Sequence, residues 1–103
     1  MSRQLRIMIV RFMENERQKS FRENELYKLE ILEEFFDYLD EVKNFEWEIK
    51  DIITDDGSEY REGLETEGKK PASVEWRILV IKSFLEFARE AGVVSENPWE
   101  DIT

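Results

Sequence analysis

Cysteine and histidine are both absent from this 103-residue chain, and each absence excludes a kind of chemistry. Without cysteine the chain forms no disulfide and no thiolate metal site, which suits a reducing compartment, so we expect a cytoplasmic protein. Without histidine it lacks the commonest general base and the commonest metal ligand. Glycine-rich phosphate-binding loops are missing as well. We therefore expect a protein that is not an enzyme and that has no catalytic residue, cofactor or metal site.

Long apolar runs are also missing, so we expect no membrane-spanning segment. The first residues mix arginines with apolar residues and have no cleavage-site pattern, which favours a helix over a signal peptide. Hydrophobic residues make up 41% of the chain and aromatic residues 13%, enough to form a packed core. The length suits one small domain, and we predict a single helical domain over residues 1–103.

Charge is distributed unevenly along the chain, whose net charge is −10. Residues 1–22 carry a net +4, residues 23–67 a net −13, residues 68–89 a net +3 and residues 90–103 a net −4. The overall sign argues against nucleic acid, because phosphate binding requires cations. Binding depends on the charge of the face that meets the partner more than on the net charge of the chain. The two basic segments therefore leave nucleic-acid binding possible.

Periodic apolar residues predict two helices in the first part of the chain. The first covers about Gln4 to Lys19, and its apolar stripe is widened by Ile7 and Val10, which suggests burial on more than one side. The second covers Phe21 to Leu39 and is preceded by Ser20, which with Glu23 matches a capping box. The predicted stripe residues of these two helices are Leu5, Met8, Ile9, Phe12 and Met13, then Leu29, Leu32, Phe35, Phe36 and Leu39, with Leu26 or Tyr27 first in the second set.

Residues 42–53 alternate apolar and charged side chains, which could indicate a short strand. We predict instead an extended connection whose aromatic side chains attach it to the helices, because a single strand has no partner to pair with. Thr54 or Asp55 is a suitable N-cap for a third helix ending near Glu67, with Gly68 after it. Residues 69–72 then predict a short basic turn.

The fourth helix is predicted from Ser73, as its cap, to Ala91, before Gly92. Its apolar residues cover most of its circumference, so we expect it at the centre of the fold. The predicted seam is Val74, Ile78, Ile81, Leu85 and Ala88, extended by Trp76, Val80, Phe84 and Phe87. Trp99 and Ile102 should pack the tail onto the helices. The sequence thus predicts an all-α, four-helix domain.

Several side chains allow a functional interpretation beside a structural one. Asp55 and Asp56 could hold a cation, but acids in a first helical turn more often cap free N–H groups. Trp47, Trp76 and Trp99 could stack on bases, but in so small a domain they are more often core residues. Lys69 and Lys70 precede a helix, so their charge and the helix dipole could together bind a phosphate. The structural alternative is an ordinary solvated turn.

The order of certain residues along the chain resembles that of the SAM-like core-binding domain of tyrosine recombinases, the phage-integrase family. The residues that carry the resemblance run in order through most of the chain. They are Leu32, Phe35, Tyr38-Leu39, residues 52–56, Tyr60, Leu64, Gly68-Lys69, Pro71, Ser73, Arg77, Ile81-Lys82-Ser83-Phe84, Phe87, Gly92 and Asn97-Pro98.

This resemblance implies a non-catalytic, DNA-binding half of a clamp around duplex DNA. Its implied partners are double-stranded DNA, a catalytic domain expected beyond this chain, and sister recombinase protomers, with a monomer in isolation and no membrane. The expected contacts are mostly to phosphates, about 4–6 of them, so affinity should fall roughly tenfold or more as salt rises severalfold. The expected DNA-binding residues are Lys69, Lys70, Ser73, Arg77 and Lys82, with Arg22 and Lys28 secondary.

The second helix departs from the family, because it usually faces DNA and here carries mostly acid. Only Arg22 and Lys28 are basic there, and Lys28 stands where the family has a tyrosine. Binding by this domain alone should therefore be weak. The alternative is a stand-alone acidic protein that binds a protein partner, as a DNA mimic or a phage-encoded inhibitor. A reading frame that continues into a catalytic segment favours the first interpretation, and a stop codon favours the second.

Overall fold

Four α-helices and one short 3₁₀ turn form the fold in a computed structural model, which describes residues 3–19 and 23–102. The helices are α1 (Arg3–Lys19), α2 (Glu23–Val42), α3 (Thr54–Thr66) and α4 (Pro71–Glu90), and the 3₁₀ turn is Ile49–Asp51. No strand occurs in the described ranges. The predicted all-α, four-helix architecture is confirmed.

Helix α4 lies at the centre, because α1, α2 and α3 all pack against it. The predicted seam is confirmed, since each of its residues is buried, and Val80 and Phe84 are buried beside it. The Phe84 ring meets Phe12 of α1 and Phe36 of α2 edge-on, with 5.5 Å between ring centroids in both pairs. One side chain of α4 thus joins three helices, in the geometry that aromatic rings prefer.

Both later helices have N-caps that precede the predicted ones. Helix α4 begins at Pro71 with Lys70 as its N-cap, so the predicted start at Ser73 is wrong by two residues. Proline suits the first helical position because its φ is already helical and its missing N–H is not needed there. Helix α3 has Ile53 as its N-cap. The Thr54 hydroxyl does not cap α3 but donates to the Pro98 carbonyl at 2.6 Å.

Helix α1 packs on one side only. Its stripe residues Leu5, Met8, Ile9 and Phe12 are buried as predicted, but Ile7 is 42% exposed and Val10 57% exposed. The prediction that these two residues are buried is therefore wrong. The physical reason is position, because α1 packs mainly against α2 and α4, and its outer face stays exposed.

In helix α2 the predicted core residues Leu32, Phe35, Phe36 and Leu39 are buried, whereas Leu29 is only half-buried. Ile31, which periodicity missed, is buried as well. The predicted start of its stripe is wrong, because Leu26 is 72% exposed and Tyr27 is 42% exposed. Its end lies at Val42, three residues beyond the prediction. The proposed capping residue Ser20 lies outside the described residues.

The connection from α2 to α3 is attached to the core by Trp47, Ile49 and Ile52. The Trp47 indole N–H donates to Asp40 at 2.7 Å, and its ring packs on Phe36. The expectation that aromatic side chains attach this segment holds for Trp47 and fails for Phe45, which is 76% exposed.

The C-terminal tail returns across α3 and α4 and is held by a buried asparagine. The Asn97 side chain donates to the Lys82 carbonyl at 3.2 Å and accepts from the Trp99 N–H at 2.9 Å. The Trp99 indole donates to the Ile53 carbonyl at 3.2 Å, at the start of α3. Trp99 is fully buried and Ile102 nearly so, which confirms the predicted packing of the tail.

Two glycines of α3 provide a matched test of that packing. A Cβ at Gly57 would lie 2.4 Å from the Ile102 side chain and 2.7 Å from Trp99, whereas a Cβ at Gly63 would meet nothing within 4 Å. Gly57→Ala should therefore lower the free energy of unfolding by about 1–3 kcal/mol. Gly63→Ala should raise it by about 0.5–1 kcal/mol, because alanine is the better helix former. Thermal unfolding followed by circular dichroism measures both, and equal effects would contradict the proposed packing.

Candidate nucleic-acid interface

Lys69 and Lys70 are both exposed and stand directly before the first residue of α4. Their position follows from Gly68, whose φ of +83° ends α3, and from Pro71, which begins α4. The Lys70 side chain forms no capping hydrogen bond, and the first turn of α4 contains no acid. Positive charge and the positive end of a 20-residue helix therefore coincide at this turn.

Ser73 and Arg77 lie on the same side of α4, because helical positions four residues apart share a face. The Arg77 guanidinium does not reach into solvent, since its side chain is only 12% exposed. It forms an ion pair with Glu34 of α2, and its Nε lies 3.5 Å from the Ser73 hydroxyl oxygen. Arg77 thus joins α4 to α2 and is not available to a phosphate in this arrangement.

Lys69 and Arg77 border a cleft of about 340 Å³ between α2, α3 and α4. Its other lining residues are Glu34, Asp37, Tyr38, Glu41, Tyr60, Leu64 and Glu67. Four carboxylates face two cations there, so the cleft itself repels a phosphate, and the lysine turn lies at its edge.

The remaining predicted DNA-binding residues lie apart from the lysine turn. Lys28 is 9% exposed, and its ammonium lies 3.5 Å from the Glu16 carboxylate, so it joins α2 to α1. The Lys82 ammonium donates to the Ile102 carbonyl at 3.2 Å, so it holds the tail. Arg22 lies outside the described residues. The structure therefore brings Lys69, Lys70, Ser73 and Arg77 together and separates them from Lys28 and Lys82.

Other exposed cations lie on α1, where Arg3, Arg6 and Arg11 face solvent. They were not predicted as DNA-binding residues, although the net charge of residues 1–22 was a signal for them.

The acids near the start of α3 have a structural role. The Asp56 carboxylate accepts the Ile53 N–H at 2.9 Å and lies 3.2 Å from the Lys43 ammonium. Asp56 therefore caps the start of α3, which agrees with the structural interpretation of the Asp55-Asp56 pair for this one residue. Among residues 3–19 and 23–102 no group of three or more potential ligands is placed to hold a metal ion. Over the same ranges no helix is long and apolar enough to cross a bilayer.

Two tyrosines in the cleft favour their neutral forms. Burial raises the pKa of Tyr60, and Arg77 acts in the opposite direction. Burial also raises the pKa of Tyr38, with a smaller contribution from Glu59 and Asp56. Neither phenol is therefore ionised near neutral pH, where an unperturbed tyrosine is already neutral.

Comparison of the chain with protein families, curated proteins and solved structures returns no match. The resemblance to recombinase core-binding domains consequently depends on the order of the residues named above, from Leu32 to Pro98.

The raised pKa of Tyr60 makes the fold sensitive to alkali. Because the folded state holds its proton more tightly than the unfolded state, this stabilisation is present below the ordinary tyrosine pKa of about 10 and is lost as pH rises through the folded value. Tyr60→Phe should therefore lose less of its free energy of unfolding between about pH 9 and pH 11 than the wild type does. Urea titrations across that range measure the difference, and parallel losses in the two proteins would contradict it.

Proposed function

We propose that this chain binds double-stranded DNA as a core-binding-type domain and contacts phosphates through Lys69 and Lys70. One observation carries the proposal: two exposed lysines precede a long helix whose first turn is free of acid. Backbone N–H groups at such a helix start, together with the dipole, favour an anion. The two exposed lysines add positive charge at the same position.

The acids around the lysine turn limit how DNA can approach. The α2 residues Glu34, Asp37 and Glu41 border the cleft beside Lys69, so a duplex laid along α2 meets like charge. A duplex that crosses the turn of residues 68–70 at the edge of the fold avoids them. Contacts of this kind hold the DNA backbone without reading its sequence.

The resemblance supports the wider role. A domain of this type supplies the non-catalytic half of a clamp, and the catalytic domain and sister protomers supply the rest. Weak binding by this half alone is in keeping with a surface of few cations. Two phosphate contacts correspond to a slope of about −1.8 in log K against log salt, so affinity falls roughly tenfold between 50 and 200 mM salt.

Fluorescence anisotropy with a labelled 20-base-pair duplex tests the proposal. The variant K69A/K70A should weaken binding and reduce the salt slope by about 1 for each lysine removed. Lys50→Ala is the matched control, because Lys50 is an exposed lysine on the 3₁₀ turn that pairs only with Glu48 among the described residues.

Binding to duplex that is lost in K69A/K70A and kept in Lys50→Ala supports the lysine turn. No binding by the wild type in about 20 mM salt would overturn the proposal. Equal loss in K69A/K70A and Lys50→Ala, scaled for the number of charges removed, would also overturn it, because it would indicate a response to net charge alone.

A second candidate is binding of a basic protein partner, and the exposed acids of α2 favour it. Glu30, Glu33, Glu34, Asp37 and Glu41 are all exposed along this one helix. Such a row of carboxylates presents spaced negative charge, as DNA does, and attracts a cationic surface. The same acids that restrict DNA would then form the binding face.

A labelled oligo-arginine peptide distinguishes this candidate. If α2 is the binding face, E33Q/D37Q should weaken peptide binding more than E96Q/E100Q, which removes two exposed charges from the tail. Equal effects of the two pairs would contradict a specific acidic face on α2.

A further inference from the structure

Phe45 projects into solvent from a turn with a defined backbone. It is 76% exposed, the largest exposure among the exposed large hydrophobic side chains of the described residues. Asn44 and Phe45 have φ values of 54° and 62°, a left-handed conformation that is uncommon for a bulky residue. The Phe45 N–H donates to the Asp40 carbonyl at 2.9 Å, and the Glu46 N–H donates to the Lys43 carbonyl at 3.1 Å. The turn therefore holds Phe45 outward at a cost in backbone strain.

The surroundings of Phe45 are apolar and acidic. Val42, at the end of α2, is 53% exposed and lies three residues before it. Glu41 and Glu46 are exposed beside them. Lys43 does not cancel this charge, because its ammonium turns inward to Asp56 at 3.2 Å. We call Val42, Phe45, Glu41 and Glu46 the knob, an apolar tip with a negative rim.

The outer face of α1 has the complementary character. Ile7 and Val10 are about half exposed and form the floor of a shallow depression of about 380 Å³. Its rim consists of Arg6, Arg11 and Glu14. Among the described residues, no carboxylate forms an ion pair with Arg6 or Arg11. The depression is thus apolar with a rim of net positive charge.

The knob and the depression cannot meet within one chain. Helix α1 turns its inner stripe to α2 and α4, so the depression on its opposite side faces away from the end of α2. We propose that they meet between copies: the knob of one chain docks in the α1 depression of a second. Charge complementarity favours a second copy as the partner, because the two exposed acids of the knob would meet the two arginines of the depression around apolar surface.

Such a contact joins two different patches and is head-to-tail. It produces rings or open chains, and two copies form a closed pair only where both contacts are made at once. The apolar area is small, so association should be weak and concentration-dependent, and it replaces the expected monomer only at high concentration. The proposal does not depend on DNA binding, because Lys69 and Lys70 belong to neither patch.

Sedimentation velocity over a range of concentrations up to about 1 mM tests for association. Phe45→Asn and Val10→Glu should each weaken it by roughly tenfold or more, because each removes the apolar contact from one side. Asparagine tolerates the left-handed backbone, so the turn is kept. Leu26→Asn is the matched control, since Leu26 is 72% exposed and lies in neither patch. Circular dichroism checks that each variant is folded.

Mixing the two defective variants identifies the geometry. The Phe45→Asn chain keeps its depression and the Val10→Glu chain keeps its knob, so the mixture should form 1:1 dimers that grow no further. A mixture that associates no more strongly than either variant alone would contradict the contact between knob and depression. A wild type that is monomeric throughout would overturn the proposal and leave both patches to another partner or to solvent. Association that survives Phe45→Asn, or that is lost equally in Leu26→Asn, would also overturn it.

Discussion

The burial of α4 on three sides is the constraint on which the rest of the structure depends. Its apolar residues occupy most of its circumference, so α1, α2, α3 and the tail must all cover it to keep those residues from water. The polar residues of α4 are confined to the strip that remains and to its ends. Arg77 consequently faces Glu34 of α2, and Lys82 faces the carbonyl of Ile102 in the tail.

This packing also decides how the charge asymmetry is displayed. Acids on α2 remain exposed, while Lys28 and Lys43 turn toward carboxylates on neighbouring elements. Positive charge remains exposed at the start of α4 and on the outer face of α1, and also at Lys50 and Arg89, which pair with nearby acids. The proposed DNA-binding role uses the lysine turn and the proposed acidic-face role uses α2, so the two candidates use different surfaces of one fold.

Much of the fold was predictable because local rules agreed with one another. Gly68 and Gly92 mark helix ends through a left-handed backbone preference that acts locally. The start of α4 at Pro71 was missed, because Ser73 was interpreted as its cap. Other errors arose where a tertiary contact competed with a local one, or where a helix face has no packing partner among the described residues. The Thr54 hydroxyl bonds to Pro98 and does not cap α3, and Ile7 and Val10 continue an apolar pattern on a face that no neighbouring element covers.

The sequence by itself determined the four helices, the central position of α4, the packing of Trp99 and the separation of acidic from basic segments, because periodicity and composition are local properties. Only the tertiary structure decided which cations stay in solvent. Of the predicted DNA-binding residues, Lys28 pairs with α1, Arg77 with α2 and Lys82 with the tail, whereas Lys69 and Lys70 remain exposed. The physical reason is that ion pairs between elements depend on how helices cross, and the periodicity of one helix does not encode the position of the next.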